Sequence, residues 1–212
     1  HSAQGEGLIR LGFLRALGTR YIPRMAARYL AEHPDLGVRF SFHRDRTHAL
    51  LEGLSARQYD LVFCSRPSPE QKLPAVPVIR QELVLIVPRS HPLAGRGSVD
   101  LAEAAGEPFI AFSEPGLREV VDGMFAAVGA SPNITCETEE DQVIAGLVAQ
   151  GFGISVVPRM ALLEKLEVSV LAIKNPASLR EIYLVQDESV WLAPAARKFR
   201  DYLLGQGTED LL

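Results

Sequence analysis

Residues able to do chemistry are scattered along this chain, and each cluster they form has a competing structural explanation. The string Gly151-Phe152-Gly153-Ile154 starts like a dinucleotide fingerprint. That fingerprint follows a strand and opens a helix, whereas here a helical pattern comes first and a strand pattern second. The glycines therefore read as a helix end and a tight turn. His43, Asp45 and His48 are close enough to suggest a metal site, yet they straddle a loop and a helix start and have no fourth ligand. Solvated loop residues are the expectation. No GxSxG, HExxH or Gly-rich GKS or GKT loop occurs, and His33 and His91 each precede a proline at an element end. Cys64 and Cys136 belong to no CxxC or CxxH spacing and read as small buried hydrophobes. With no catalytic constellation, metal site or cofactor motif, the sequence points to binding and not to turnover.

The elements that would position a binding site are legible. Residues 8–14 (LIRLGFL) form an apolar run of strand length, followed by a turn and a helix that Pro23 suits at its first turn. Val38, Phe40 and Phe42 alternate with polar residues at strand period, Thr47 can cap a helix carrying Leu50, Leu51 and Leu54, and LVFC (61–64) reads as a buried strand. This alternation is two βαβ units on a parallel sheet. After the prolines at 67, 69, 74 and 77, a strand at 83–87 begins a second series. Asp100 with Glu103 makes a capping box, and Leu117, Val120, Val121, Met124, Phe125 and Val128 form a helical stripe closed by Gly129. A helix around 143–148 and a strand at 154–157 complete the second α/β unit. Two further strand patterns, 168–173 and 180–186, precede a final helix with Pro194 in its first turn and Ala196, Phe199 and Leu203 facing the first lobe. Residues after Gly205 read as a frayed tail.

Hydrophobic residues make up 47% of the 212 positions, enough for a sizeable core in one large domain or two small lobes. The net charge of −4 gives no sequence-wide cationic excess, which excludes a grip on DNA by this chain alone. The longest apolar run is well short of the roughly 20 residues of a membrane span, and no signal-peptide pattern opens the chain; a cytoplasmic location, with no membrane partner, is the expectation. His1 stands where a genuine start would carry Met, and residues 1–6 read as a tag remnant or linker.

Ligands of parallel α/β sheets bind beyond the carboxyl ends of the strands, where helix N-termini present unpaired N–H groups. Here those places are residues 14–19, 44–47, 65–66, 112–118 and 138–142. Arg15, Arg44, Arg46, Arg66 and Arg118 all fall in them, so a carboxylate-bearing ligand is the economical expectation. The competing explanation is that loop arginines are merely solvated.

In order, GFLRALGTRYIP, a helix ending in EHP, HRDRTHALLEGL, YDLVFCS, ELVLIVPRSHPLA, PFIAFSEPGLREVVDGMFAAVGASPNI and AGLVAQGFGISVVP resemble the effector-binding domain of LysR-type transcriptional regulators. The resemblance runs from about residue 7 to residue 204, with HPLA (91–94) and LVAQGFGISVVP (147–158) its most characteristic parts. GFLRALGT and HALLE are most similar to the branch that includes the activator of glutamate synthase genes. The resemblance implies an α/β, two-lobed, type 2 periplasmic-binding-protein-like fold with a ligand cleft between the lobes. Lobe I would comprise 7–81 with 187–206 and lobe II 82–186, with crossovers near Gln81-Glu82 and Gln186-Asp187. A winged helix-turn-helix and a linker helix precede this domain in the family and are not found in this chain, so DNA would be bound only through that part.

Carried over individually, the implied ligand residues are Leu14, Arg15 and Gly18 in the turn after the first strand, Thr47 opening the second helix, and Ser65 ending the third strand. Phe112 and Ser113 match the second lobe's first ligand loop, and Glu140 the segment opening its later helix. Phe112 also reads as core and Thr47 as a simple cap. Arg46 replaces the small polar residue of many relatives, and Arg118 has a structural alternative. The implied partners are a small effector, with glutamate or 2-oxoglutarate the first to try, and further copies of the chain in a dimer or tetramer, helix 23–32 packing antiparallel on 117–128 of another subunit. The implied mechanism is a population shift. The rivals are a transporter's solute-binding protein and an enzyme on the same fold.

Overall fold

The computed structural model describes residues 7–211, so the expectation for residues 1–6 lies outside the described residues. The chain forms two compact units: unit 1 holds residues up to Arg80 and again from Glu181, and unit 2 holds Gln81–Arg180.

Unit 1 begins with β1 (Leu8–Phe13), α1 (Tyr21–Glu32), β2 (Arg39–Arg44), α2 (Thr47–Ser55) and β3 (Leu61–Cys64). Both β2 and β3 pair with β1 in parallel, as two successive βαβ crossovers require. β3 is buried along its whole length, which is why its sequence is unbroken by polar residues. α1 turns Tyr21, Ile22, Met25 and Tyr29 inward onto Ile9, Leu11 and Phe63. On the second side Leu50, Leu51 and Leu54 of α2 pack with Val62 and Cys64. β2 is the outer strand, and its Phe42 is exposed, stacked on Phe40.

β4 (Ala75–Pro88) leaves unit 1 at Arg80 and enters unit 2 at Gln81. It starts earlier than the expected 83–87, inside the proline-rich stretch. A proline is tolerated where its missing N–H is not needed by the ladder. Unit 2 continues with β5 (Ser98–Asp100), β6 (Pro108–Phe112), α3 (Pro115–Ala127), β7 (Asn133–Thr138), α4 (Asp141–Ala149), β8 (Ser155–Pro158) and β9 (Val168–Asn175). β4 pairs antiparallel with β8 and β9, β5 pairs with β9 in parallel, and β6 pairs with β7 in parallel. Val121, Met124 and Phe125 of α3 join Phe109, Ile110, Ile144 and Val148 in one core.

Two local signals explain how unit 2 turns its corners. The capping box forms as read, with Asp100 accepting from the Ala102 N–H at 2.9 Å and Glu103 accepting from the Asp100 N–H at 3.1 Å; it closes a 3-10 turn over Leu101–Ala104. In HPLA, His91 Nδ1 accepts the Leu93 N–H at 3.0 Å, which places the ring proton on Nε2, where it meets the Glu107 carboxylate.

The chain returns to unit 1 through β10 (Leu179–Val185), α5 (Pro194–Gly205) and β11 (Glu209–Leu211). The second crossing falls at Arg180–Glu181, earlier than the expected 186–187, because Tyr183, Leu184 and Val185 pair antiparallel with Cys64, Phe63 and Val62 of β3. Ala196, Phe199 and Leu203 rest on the core of unit 1, as expected. The frayed tail is a correction: β11 pairs with β4, Arg80 Nε donates to Asp210 at 2.9 Å, and Glu209 pairs with Arg24. A second correction concerns the cysteines. Cys64 is buried, but Cys136 is only partly so, since alternate residues of β7 face solvent.

Candidate ligand-binding edges

In unit 1 the parallel pairing brings three strand ends level, with Phe13 opposite both Arg44 and Phe63. Main-chain bonds tie the residues that follow: Leu14 N–H donates to Phe63 O and Asp45 N–H to Phe13 O, each at 3.1 Å. Leu14, Arg15, Gly18, Thr47 and Ser65 therefore lie along one end of this sheet. Residues 15–17 form a 3-10 turn, and Gly18 closes it by donating to Arg15 O at 3.1 Å. A side chain at Gly18 would come within 2.9 Å of the Phe13 ring, so glycine is what allows the turn to lie flat on the sheet end.

Thr47 is not the helix cap expected of it. The N-cap of α2 is Arg46, which makes no side-chain cap bond, and Thr47 is the first helical residue. Its Oγ1 instead accepts the Ser65 N–H at 3.2 Å, joining the start of α2 to the end of β3. A hydroxyl that accepts in this way keeps its own proton to donate. Thr47→Val keeps the shape and removes the acceptor, so it should lower stability by about 1 kcal/mol and speed hydrogen exchange at the Ser65 amide. Unchanged exchange there would show that the bond contributes nothing.

In unit 2 the matching edge is built by β6 and β7. Phe112 pairs with Thr138, and Ser113 N–H donates to Thr138 O at 3.0 Å. Phe112 is 2% exposed and belongs to the core, whereas Ser113 is exposed at the strand end. Glu114 caps α3, its carboxylate accepting from Gly116 and Leu117 N–H at 3.0 Å each. That helix end is thus satisfied by the chain's own anion. Glu140 occupies the N-cap position of α4, without a side-chain cap bond.

The arginines differ sharply in how they are held. Arg118 donates to Glu137 at 3.1 Å, Asp122 at 3.0 Å and Phe112 O at 3.2 Å. Its guanidinium is held above its usual range by the Glu137 and Asp122 carboxylates. These bonds from Nε and Nη1 brace α3 against β6 and β7, the structural alternative for Arg118. Arg66 lies with its guanidinium carbon 5.2 Å from the centre of the Tyr183 ring. The Tyr183 hydroxyl donates to Glu181 at 2.8 Å. Neither Tyr183 nor Glu181 was singled out in the sequence; their i, i+2 spacing on one strand face was the available signal.

The side chains of His43, Asp45 and His48 each bond to a sequence neighbour: His43 Nε2 with Ser41 Oγ at 2.8 Å, the Asp45 carboxylate with the Arg46 N–H at 2.8 Å, and His48 with Glu52 at 2.9 Å. Among the described residues no group of three or more His, Cys, Asp or Glu could hold a metal ion. Among the described residues no helix is long and apolar enough to cross a membrane.

The family model for the LysR substrate binding domain matches residues 2–208. An HTH-type transcriptional regulator of Bacillus subtilis, YybE, is 33% identical over 205 residues, covering 96% of this chain and 70% of that protein. The effector-binding domain of QuiR in complex with shikimate is 34% identical with a TM-score of 0.89, over 95% of this chain and 97% of that one. The regulatory domain of Synechocystis CcmR in complex with 2-PG is 25% identical with a TM-score of 0.80, over 95% and 97%.

Proposed function

This chain belongs to the LysR substrate-binding-domain family, and on that premise we propose that it senses a small carboxylate effector through the strand-end residues of unit 1, Leu14, Arg15, Gly18, Thr47 and Ser65. Phe112, Ser113 and Glu140 are the proposed contribution of unit 2, Phe112 through packing behind Ser113. The mixed α/β fold matches the two-lobed, periplasmic-binding-protein-like fold of LysR effector-binding domains, and the relatives are transcriptional regulators, not enzymes. That removes the support for turnover and for the solute-transport alternative.

The observation that carries the carboxylate reading is the edge of unit 1. There the start of α2 has no side-chain cap, the Thr47 hydroxyl keeps a proton to donate, and Arg15, Arg44, Arg46 and Arg66 are all exposed. Helix N-termini and guanidinium groups both favour anions. Because the QuiR complex holds shikimate, a hydroxylated cyclic acid leads the candidates, ahead of the glutamate and 2-oxoglutarate suggested by sequence. The effector would act by binding one conformation better than another, in a cytoplasmic dimer or tetramer whose DNA-binding part lies in the portion of such regulators outside this chain.

Thermal unfolding with shikimate, 2-PG, glutamate and 2-oxoglutarate tests this. An effector at about 100 times its Kd adds about 2.7 kcal/mol, which for a chain of this size raises Tm by about 5–10 °C. A saturable rise with one acid and not the others identifies the class. No rise with any of them overturns the carboxylate reading.

A further inference from the structure

We infer that Arg66 is the carboxylate anchor of unit 1 and that Tyr183, braced by Glu181, is the residue that positions it. The inference rests on the reading that this edge takes a carboxylate, and goes further by naming which cation meets the charge.

Arg66 is fixed at both ends. Its backbone precedes Pro67, which is buried, and a residue before proline is confined to extended angles. Arg66 therefore leaves β3 in a set direction immediately after Ser65, whose N–H is held by Thr47. Its side chain lies over the ring of Tyr183 at 5.2 Å, within the roughly 6 Å over which a cation and an aromatic face attract. Tyr183 is 6% exposed and part of the core beside Cys64, with which it pairs across β3 and β10, so the ring is a fixed platform. Its hydroxyl donates to Glu181 at 2.8 Å, which stops the ring from tilting.

The manner of holding is what distinguishes Arg66. Arg118 donates from Nε and Nη1 to two carboxylates and a carbonyl, a partnership that neutralises its charge. Arg66 is held instead by an uncharged phenol, its guanidinium carbon over the ring at 5.2 Å and its side chain hydrogen-bonded to the Tyr183 hydroxyl; a guanidinium has five N–H donors, so one held in this way keeps others for a planar anion. An orientation settled before binding also removes part of the entropy cost of fixing a long side chain.

The test is calorimetric titration of the four acids above, with shikimate, glutamate and 2-oxoglutarate each alongside the ester in which every carboxyl is methylated, into wild type, Arg66→Ala, Arg66→Lys, Tyr183→Phe and Tyr183→Leu. Methylating every carboxyl of shikimate, glutamate or 2-oxoglutarate removes the negative charge and leaves the rest of the ligand, so the acid-to-ester ratio reads the anchor and not general packing; 2-PG, whose phosphate stays charged, is read by its Kd alone. Arg66→Ala should weaken the bound acid about tenfold to a hundredfold and collapse the ratio. Arg66→Lys should keep the charge but lose the paired N–H geometry, giving an intermediate ratio. Tyr183→Phe should preserve most of the ratio, and Tyr183→Leu should lower it towards that of Arg66→Ala. If an acid binds wild type and Arg66→Ala keeps the wild-type ratio, the anchor assignment is wrong while the carboxylate reading stands. If no acid binds wild type, both fall together.

Discussion

Gly153→Ala should be the most damaging small substitution in unit 2, costing about 2–6 kcal/mol from an unfavourable backbone angle and overpacking combined. Gly153 has φ +155, and a Cβ there would sit 2.5 Å from the carbonyl oxygen of Pro108 and 3.0 Å from its carbon. The obstacle is backbone, so no rotamer change relieves it. The same peptide is held in place by Ile154 N–H donating to Pro108 O and Ile110 N–H donating to Ile154 O, each at 2.9 Å, which is how β6 is kept beside the chain entering β8. Gly151 gives the contrast: its φ of +86 is strained for other residues, but nothing lies within 4 Å of its Cβ position. Gly151→Ala should therefore cost about 1–2 kcal/mol and leave the Ile154 and Ile110 amides protected. Urea unfolding followed by circular dichroism, with hydrogen exchange at those amides, measures both. Equal losses for the two variants would mean that the close approach to Pro108 is not what demands glycine at 153.

The same pair of glycines marks where sequence reasoning succeeds. The order of patterns, helix then strand, was enough to reject a dinucleotide loop and to place a helix end and a turn, because both are decided by neighbours within a few residues. The alternating units of both series, the Asp100–Glu103 box and the inward face of α3 are legible for that reason. Three features are not local. Thr47 looks like a cap because Thr before an apolar periodic run usually is one; its actual partner, Ser65, is set by how β3 lies against the start of α2. The tail looks frayed because its residues are polar, yet Glu209 and Asp210 find Arg24 and Arg80 from far earlier in the chain. Arg66 and Tyr183 meet only because β10 runs antiparallel to β3 in a register that puts Tyr183 opposite Cys64. Residue type suggests the chemistry proposed for this edge, and pairing between distant strands is what sets Arg66 against Tyr183.

Phe199→Ala should destabilise unit 1 by about 3–5 kcal/mol, the usual cost of emptying a buried phenylalanine site. Phe199 is fully buried and meets Tyr29 of α1 and Phe40 of β2 edge-on, at centroid distances of 5.1 and 5.0 Å; such pairs add about 0.5–1.5 kcal/mol beyond the area they bury. α5 enters unit 1 from the far end of the sequence, so Phe199 is where the last helix is locked to the first elements. Hydrogen exchange locates the effect: amides of β1 should lose protection, while Ile110 and Ile154 of unit 2 keep theirs. Phe199→Leu, which retains most of the volume, should cost less than about 1.5 kcal/mol. Equal loss of protection in both units would show instead that the whole chain unfolds as one cooperative body. The functional consequence follows from position, since Leu14 and Arg15 continue directly from β1. A loosened β1 cannot hold their turn level with Thr47 and Ser65, so Phe199→Ala should weaken the effector acid and its ester alike, the opposite pattern to the charge-selective loss expected of Arg66→Ala.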